Sequence, residues 1–135
     1  MDLEVIKIAE NTTNYKSVKN YSHKYKHKNV ICGDEIEITL KIRNKKIIDF
    51  GYKTKSCIYC QASASLLSRK SKNTEVSEVN KFLNIANILF KDNHSPIPKH
   101  WKPFDKIFKK ENIQRKECLL LPINALIRII KNYDG

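Results

Sequence analysis

The sequence predicts an α+β fold in which a β-hairpin is followed by helices, and two observations carry this prediction. Apolar and polar residues alternate from Glu35 to Arg43, as in a strand with one buried face. Beyond Cys57, small and apolar residues instead recur at helical spacing. A chain of 135 residues is long enough to enclose one hydrophobic core, so we expect residues 1–135 to form a single domain.

The N-terminal part of the chain is predicted to be weakly structured. The stretch LEVIKIAE favours a short amphipathic helix from Leu3 to Glu10. The stretch NTTNYKSVKNYS that follows it is polar and indicates irregular structure. We therefore expect residues 1–28 to be less ordered than the rest of the domain.

The strongest strand signal begins at Glu35, where four alternate residues share one apolar face: Ile36, Ile38, Leu40 and Ile42. Asn44 and Lys45 predict a turn, after which KIIDFGYK returns as the second strand of a β-hairpin. In that strand we expect one face to carry Ile48, Phe50 and Tyr52. Gly51 indicates a bulge or a close approach of another backbone segment.

Helices are predicted in the second half of the chain. One begins between Ile58 and Gln61, where small residues allow close packing on the sheet. The next runs from Thr74 to about Phe90, with Asn73 as its N-cap.

The prolines place the last helix. The stretch KDNHSPIPKHWKPFDK contains three prolines and predicts a loop. The stretch LPINALIRIIKNY predicts the final helix, which should start close to Leu121 because Pro122 fits only in a first helical turn. Cys118 would then stand just before a helix, as Cys57 does.

The formal charge is +12, which raises the question of a nucleic-acid ligand. The lysines are scattered over every segment, which favours a solvated surface over a phosphate-binding face. The denser stretch from His23 to Asn29 could meet an acidic protein as easily as RNA. The sequence contains neither a signal-peptide pattern nor a long uncharged apolar run, so we expect a cytoplasmic protein that does not enter a membrane.

Three of the four cysteines stand at predicted element boundaries: Cys32, Cys57 and Cys118. Helix N-termini stabilise a thiolate, and Asp34 could add an oxygen ligand to three sulfur ligands. The simpler interpretation, a small buried hydrophobic residue, also applies to each cysteine. Disulfides are not expected in a reducing compartment. The histidines lie in loops or in the basic stretch and are not expected to bind metal: His23, His27, His94 and His100.

Three blocks of this sequence resemble the signature motifs of the NifU/IscU/SufU family of iron–sulfur cluster assembly scaffolds: NVICGDEIEITLKI, KSCIYCQASASLL and RKECLLLPINAL. The resemblance implies a small antiparallel sheet covered on one face by helices. It also implies that a cluster or zinc ion is bound by the family's three cysteines and aspartate, which correspond to Cys32, Asp34, Cys57 and Cys118. Cys60 is an addition to the family pattern and a possible alternative ligand.

The function implied by this resemblance is a scaffold and not an enzyme. A cysteine desulfurase would supply sulfur, iron would join it to build a transient [2Fe–2S] cluster, and apo iron–sulfur proteins would receive that cluster. The segment that IscU-type proteins offer to an Hsp70 chaperone is missing, which argues against that partner. Two alternatives stay open: a SufU-like, zinc-dependent sulfur acceptor, in which a sulfurtransferase role is possible, and a basic zinc-containing RNA-binding module.

Overall fold

A computed structural model describes residues 2–31, 33–90 and 97–133. Within these ranges the strands form one antiparallel sheet with the order β1-β2-β3-β4. The elements follow the chain in this order: α1 (Leu3–Ala9), β1 (His23–Lys28), β2 (Glu35–Arg43), β3 (Lys46–Lys55), α2 (Ile58–Ser71), β4 (Thr74–Glu75), α3 (Val76–Ala86), two 3-10 helices (Lys99–Lys106 and Lys110–Arg115) and α4 (Lys116–Lys131). The predicted α+β fold is confirmed.

The hairpin formed by β2 and β3 is the centre of the sheet. Alternate side chains of β2 point into the core, and Ile36, Ile38 and Leu40 are fully buried. Asn44 and Lys45 both have positive φ, +53° and +64°, as the central residues of a type I′ turn require. The alternation and the turn residues in the sequence therefore located this hairpin correctly.

The inner face of β3 differs from the prediction because the strand contains a bulge. Lys41 pairs with Asp49 and the next residue of β2 pairs with Ile47, so Ile48 has no partner in β2. The extra residue moves the fully buried Ile47 into the core and leaves Ile48 only half-buried. The prediction that Ile48 shares the core face of Phe50 is therefore wrong.

The segment between α1 and β1, which we call the strap (residues 11–22), crosses the outer face of the sheet. The Val18 N–H donates to the Thr39 hydroxyl on that face at 2.9 Å. The Lys16 carbonyl oxygen lies against Gly51, in the space that a Cβ would occupy. The close approach predicted at Gly51 is confirmed, and the strap explains why glycine is needed there.

The first strand of the sheet was not anticipated. The stretch predicted to be less ordered, residues 1–28, contains both α1 and β1, and β1 pairs with β2 along its whole length. Its half-buried residues alternate with exposed lysines: Lys24, Lys26 and Lys28. This period of two was present in the sequence, but the high charge concealed it.

The helices cover the inner face of the sheet. The small residues of α2 are buried and allow it to pack against α1, α4 and β3. An aromatic cluster fills the space beneath α3, where Phe82 stacks on Trp101 with ring centroids 4.3 Å apart. No helix in the described ranges is both long enough and apolar enough to cross a bilayer.

The start of α3 was predicted wrongly. Asn73 has a φ of +64° and its N–H donates to the Ile47 carbonyl, so it forms a turn and is not a helix N-cap. Thr74 and Glu75 then pair with the start of β3, and α3 runs only from Val76 to Ala86. Pairing with the sheet edge overrides the local helix signal.

The start of α4 also differs from the prediction. The helix begins at Lys116 and not near Leu121, so Pro122 lies inside it. Cys118 is consequently the third residue of the helix and does not precede it. The loop predicted to lead into this helix contains the first 3-10 helix (Lys99–Lys106), while residues 91–96, including His94, lie outside the described residues.

Candidate metal centre

Asp34 is placed by the loop that joins β1 to β2. The Asn29 N–H donates to the Asp34 carbonyl at 2.8 Å, and the Gly33 N–H donates to the Asn29 carbonyl at 2.8 Å. Gly33 has a φ of +79°, a conformation that glycine adopts without strain. The loop is therefore closed by its own backbone, and Asp34 is held in front of the first residue of β2.

Cys57 is the N-cap of α2. Its backbone is extended, with φ −72° and ψ 168°, and its side chain makes no capping hydrogen bond. The half-buried thiol thus stands at the positive end of the helix dipole, where a thiolate is stabilised. The prediction that Cys57 precedes a helix N-terminus is confirmed.

Cys118 reaches the same place from the first turn of α4 and is half-buried. The N-terminal ends of α2 and α4 lie side by side: the guanidinium of Arg115, the N-cap of α4, is 5.4 Å from the ring centroid of Tyr59 in the first turn of α2. Sequence reasoning gave Tyr59 no role in the site, because a single aromatic residue in a helix carries no sign of which cation it will meet.

The structure brings together three side chains from three elements: Asp34, Cys57 and Cys118. Their ligand atoms all lie within 4.8 Å of one another. A tetrahedral metal with ligands at about 2.3 Å would need neighbouring ligand atoms about 3.7 Å apart, so a small contraction would suffice. Cys32 lies outside the described residues, and its position relative to this group stays a prediction.

Two features indicate that a cation suits this group. Asp34 Oδ2 is buried and has no hydrogen-bond partner in the described part of the chain, although buried polar atoms are normally paired. The pKa of the Cys118 thiol is raised above its usual range, first by burial and then by the neighbouring Cys57 and Asp34. A bound cation would favour the deprotonated, metal-binding form of the thiols and supply the missing partner of Asp34.

The sequence matches the protein family described as "NifU-like N terminal domain" over residues 2–102. The chain belongs to this family. No curated protein matches the sequence significantly.

Solved structures of other proteins have the fold of this NifU-like domain. A nitrogen-fixing NifU-like protein (N-terminal) from Brucella abortus superposes with a TM-score of 0.84 at 20% identity, covering 98% of this chain and 94% of the other. A putative iron–sulfur cluster assembly scaffold protein for the SUF system from Fervidobacterium islandicum AW-1 has a TM-score of 0.84 at 17% identity, covering 96% of both chains. At these identities the likeness establishes the fold alone.

Cys60 does not belong to the group of ligand atoms in this NifU-like domain. Its side chain is fully buried, and its Sγ lies 3.9 Å from Thr54 Oγ1 on β3. Burial above all raises the pKa of Cys60 to about 12. The geometry thus favours the simpler of the interpretations considered for Cys60, a small residue packed against the sheet.

The described histidines do not lie in this group. His100 Nε2 lies 2.5 Å from the Lys70 carbonyl oxygen, near the C-terminal end of α2, and its ring meets Trp101 edge-on. His23 and His27 are on β1, where each contacts an aromatic ring. That the histidines bind no metal stays a prediction.

Proposed function

We propose that this NifU-like domain is an assembly scaffold for iron–sulfur clusters. It would hold a [2Fe–2S] cluster transiently on Cys32, Asp34, Cys57 and Cys118 and then pass it to apo proteins. The observation that carries this proposal is the convergence of three ligand atoms within 4.8 Å, one of them a carboxylate. Cys32 is included because it precedes Asp34 in the family motif that the sequence resembles.

The composition of the ligand set supports temporary binding. Thiolates suit iron and zinc, whereas one carboxylate in place of a fourth thiolate leaves the set less saturated with sulfur. All three described ligands are only half-buried, so an acceptor protein can reach them. A cargo that must leave needs such access, whereas the cluster of an electron carrier is normally held by cysteines alone.

The loop beside the site has a surface suited to partner proteins. Val30 and Ile31 are each 88% exposed, two residues of large apolar area close to Asp34 in sequence. We propose a cysteine desulfurase and apo iron–sulfur proteins as the partners that meet this edge. The thiols must stay reduced for this work, which fits a cytoplasmic location.

Anaerobic reconstitution tests the proposal. The purified chain is incubated with ferrous iron and sulfide, and visible absorption is followed together with iron and sulfide analysis. We expect a cluster spectrum in the wild type, its loss in Cys57→Ser and Cys118→Ser, and transfer to an apo-ferredoxin within minutes. A wild-type chain that binds no iron and sulfide, or a cluster that stays on it when apo-ferredoxin is added, contradicts a scaffold role.

The second candidate function is that of a zinc-dependent sulfur acceptor for a cysteine desulfurase. The half-exposed Cys57 thiol at the N-terminus of α2 favours it, because a thiolate there is a suitable acceptor of sulfur. Zinc without iron after anaerobic purification, together with persulfide on the chain after incubation with desulfurase and cysteine, would select this function. If the purified chain instead retains RNA that high salt removes, the RNA-binding module suggested by the positive charge would be favoured.

A further inference from the structure

Cys57 and Cys60 stand at the N-terminal end of α2, at the two positions whose side chains interact in a capping box. Cys57 is the N-cap and Cys60 is the third residue of the helix. In a capping box the side chains of these two positions reach across the first helical turn and satisfy each other's backbone N–H groups. The Cys57 side chain makes no capping hydrogen bond that would hold its sulfur away from Cys60.

The two thiols differ in access. Cys57 is half-buried and can react with a partner protein or a reagent, whereas Cys60 has no exposed surface. Burial raises the pKa of Cys60 to about 12, and the charges of Asp34 and Cys57 add to this effect. The Cys60 thiol is therefore protected from external reagents, and Cys57 is the sulfur atom that can bring a reactive group to it.

The candidate metal centre leaves Cys60 without a function. The ligand atoms of the group belong to Asp34, Cys57 and Cys118, and Cys60 is not one of them. Its Sγ lies 3.9 Å from the hydroxyl oxygen of Thr54, and that hydroxyl donates to the Glu35 carbonyl at 2.5 Å. An unreactive residue of similar size could pack at this buried position, so packing alone does not require a thiol here.

We propose that Cys57 and Cys60 form a dithiol pair that converts a persulfide on Cys57 into sulfide. The Cys60 sulfur attacks the inner sulfur of the Cys57 persulfide, and the bond between the inner and outer sulfur atoms breaks. The outer sulfur leaves with the proton of the Cys60 thiol as hydrogen sulfide, and a Cys57–Cys60 disulfide forms. The two thiol sulfurs supply the two electrons that the outer sulfur gains.

This inference rests on the proposed function for the origin of the persulfide, which a cysteine desulfurase would supply. Cluster assembly requires sulfide, and the pair would produce it beside the ligands that bind iron. The resulting disulfide withdraws Cys57 from the ligand set until an external dithiol reduces it. Cys57 therefore binds metal only after the disulfide formed by each sulfide release has been reduced.

The test uses the full-length, metal-free chain under anaerobic conditions, with inorganic polysulfide as the sulfur donor. A variant with Cys32→Ser and Cys118→Ser keeps Cys57 and Cys60 as its only cysteines. After removal of the reagent, we expect an intact mass that is two hydrogens below that of the reduced variant. Adding Cys60→Ala should instead leave a stable persulfide, one sulfur heavier than the reduced chain, and abolish the disulfide.

The wild-type chain provides a second measurement that needs no variant. After the same treatment, free thiols are alkylated and the disulfide is located by peptide mass spectrometry. A Cys57–Cys60 bond supports the pair. A bond from Cys57 to Cys118 or Cys32, or a lasting Cys57 persulfide beside a reduced Cys60, overturns it. Circular dichroism establishes that the Cys60→Ala chain is folded, and if it is not, the wild-type mapping decides.

These measurements separate the pair from the scaffold. Polysulfide replaces the desulfurase and no cluster is measured, so a failed exchange leaves cluster binding unaffected. Conversely, if the chain forms the Cys57–Cys60 disulfide but takes up no iron in the reconstitution experiment, the dithiol proposal stands and the scaffold proposal fails.

Discussion

The carbonyl oxygen of Lys16 occupies the space in which a Cβ at Gly51 would lie. This contact holds the strap against the outer face of the sheet, opposite the core. Thr39, the cross-strand partner of Gly51, fixes the next part of the strap through its hydroxyl. The strap thus covers the outer face of the sheet where Thr39 and Gly51 lie side by side, and its close approach there requires a residue without a side chain at position 51.

Gly51→Ala should destabilise the fold. A methyl group at this position must displace the Lys16 backbone, and overpacking of this kind typically reduces the free energy of unfolding by about 1–3 kcal/mol. Urea denaturation measures the change. Ser77→Ala, at an exposed position of α3, is the control and should alter stability by less than about 0.5 kcal/mol. Equal stability of Gly51→Ala and the wild type would show that the strap yields freely.

The ligand set predicts a specific order among variants. Cys57→Ser and Cys118→Ser should lose metal by a large factor, because a hydroxyl is a poor substitute for a thiolate ligand. Cys60→Ser is the matched control on the same helix as Cys57 and should keep most of the metal. Metal analysis of the purified variants decides. If Cys60→Ser empties the site while Asp34→Ala does not, the ligands are all cysteines and our assignment of Asp34 is wrong.

Removal of metal should lower the melting temperature without unfolding the chain. Metal that binds only the folded state stabilises it by about 2.7 kcal/mol at a free concentration one hundred times the Kd. The extensive apolar core formed by the hairpin and helices has Cys57 and Cys118 only at its margin and should keep the apo protein folded. Thermal melting followed by circular dichroism, before and after chelation, checks both statements. A random-coil spectrum of the apo form would make the metal a structural requirement.

Asp49 should make stability depend on pH in the acid range. Burial alone would raise its pKa, but hydrogen bonds from Lys16 and from the Phe50 N–H, together with the charges of Lys16 and Lys72, outweigh this effect and lower the pKa below 3.8. The unfolded chain therefore binds the proton more readily. The stabilisation is complete above pH 3.8 and is lost as the pH falls through the lower pKa of the folded state.

Asp49→Asn tests this dependence. The variant should be less stable than the wild type at neutral pH by up to about 1 kcal/mol, as expected for a partly exposed ion pair. The difference should shrink as the pH is lowered from 4 towards 2, because the wild type then loses the same interaction. Asp105→Asn, which removes an exposed pair with Lys102 on one 3-10 helix, is the control. A stability difference between the variant and the wild type that grows as the pH falls would contradict a lowered pKa of Asp49.

The sequence predicted the elements whose signals are local and regular. The alternation in β2, the turn at Asn44 and the start of α2 at Ile58 all depend on residues close together in the chain. The errors arise where distant contacts decide. Ile47 replaces Ile48 in the core because of a bulge in the pairing with β2, and Asn73 turns the chain because its N–H meets the Ile47 carbonyl. Neither contact can be deduced from neighbouring residues.

The candidate site was predictable only in part, because its motifs are local but its geometry depends on distant contacts. Motifs identified Asp34, Cys57 and Cys118, but they could not show that Cys118 lies within α4. Pro122 indicated a helix start because a proline lacks the N–H that an interior position needs. The structure instead continues the helix through Pro122, which is buried by packing against its surroundings. Tertiary packing thus overrides the preference of proline for a first helical turn. The position of Cys118 was predicted from that preference, so it was predicted wrongly.

Pro122 also affects how the proposed ligands Cys57 and Cys118 are positioned relative to each other. Lacking an N–H, it cannot donate to the carbonyl of Cys118, four residues earlier, so the helical turn that carries this ligand is tied to the rest of α4 by one hydrogen bond fewer. The neighbouring Leu119 carbonyl accepts a 2.7 Å hydrogen bond from Ser63 of α2, the helix that Cys57 caps. The distance between the Cys57 and Cys118 sulfur atoms therefore depends more on the packing of α2 against α4 than on the rigidity of either helix.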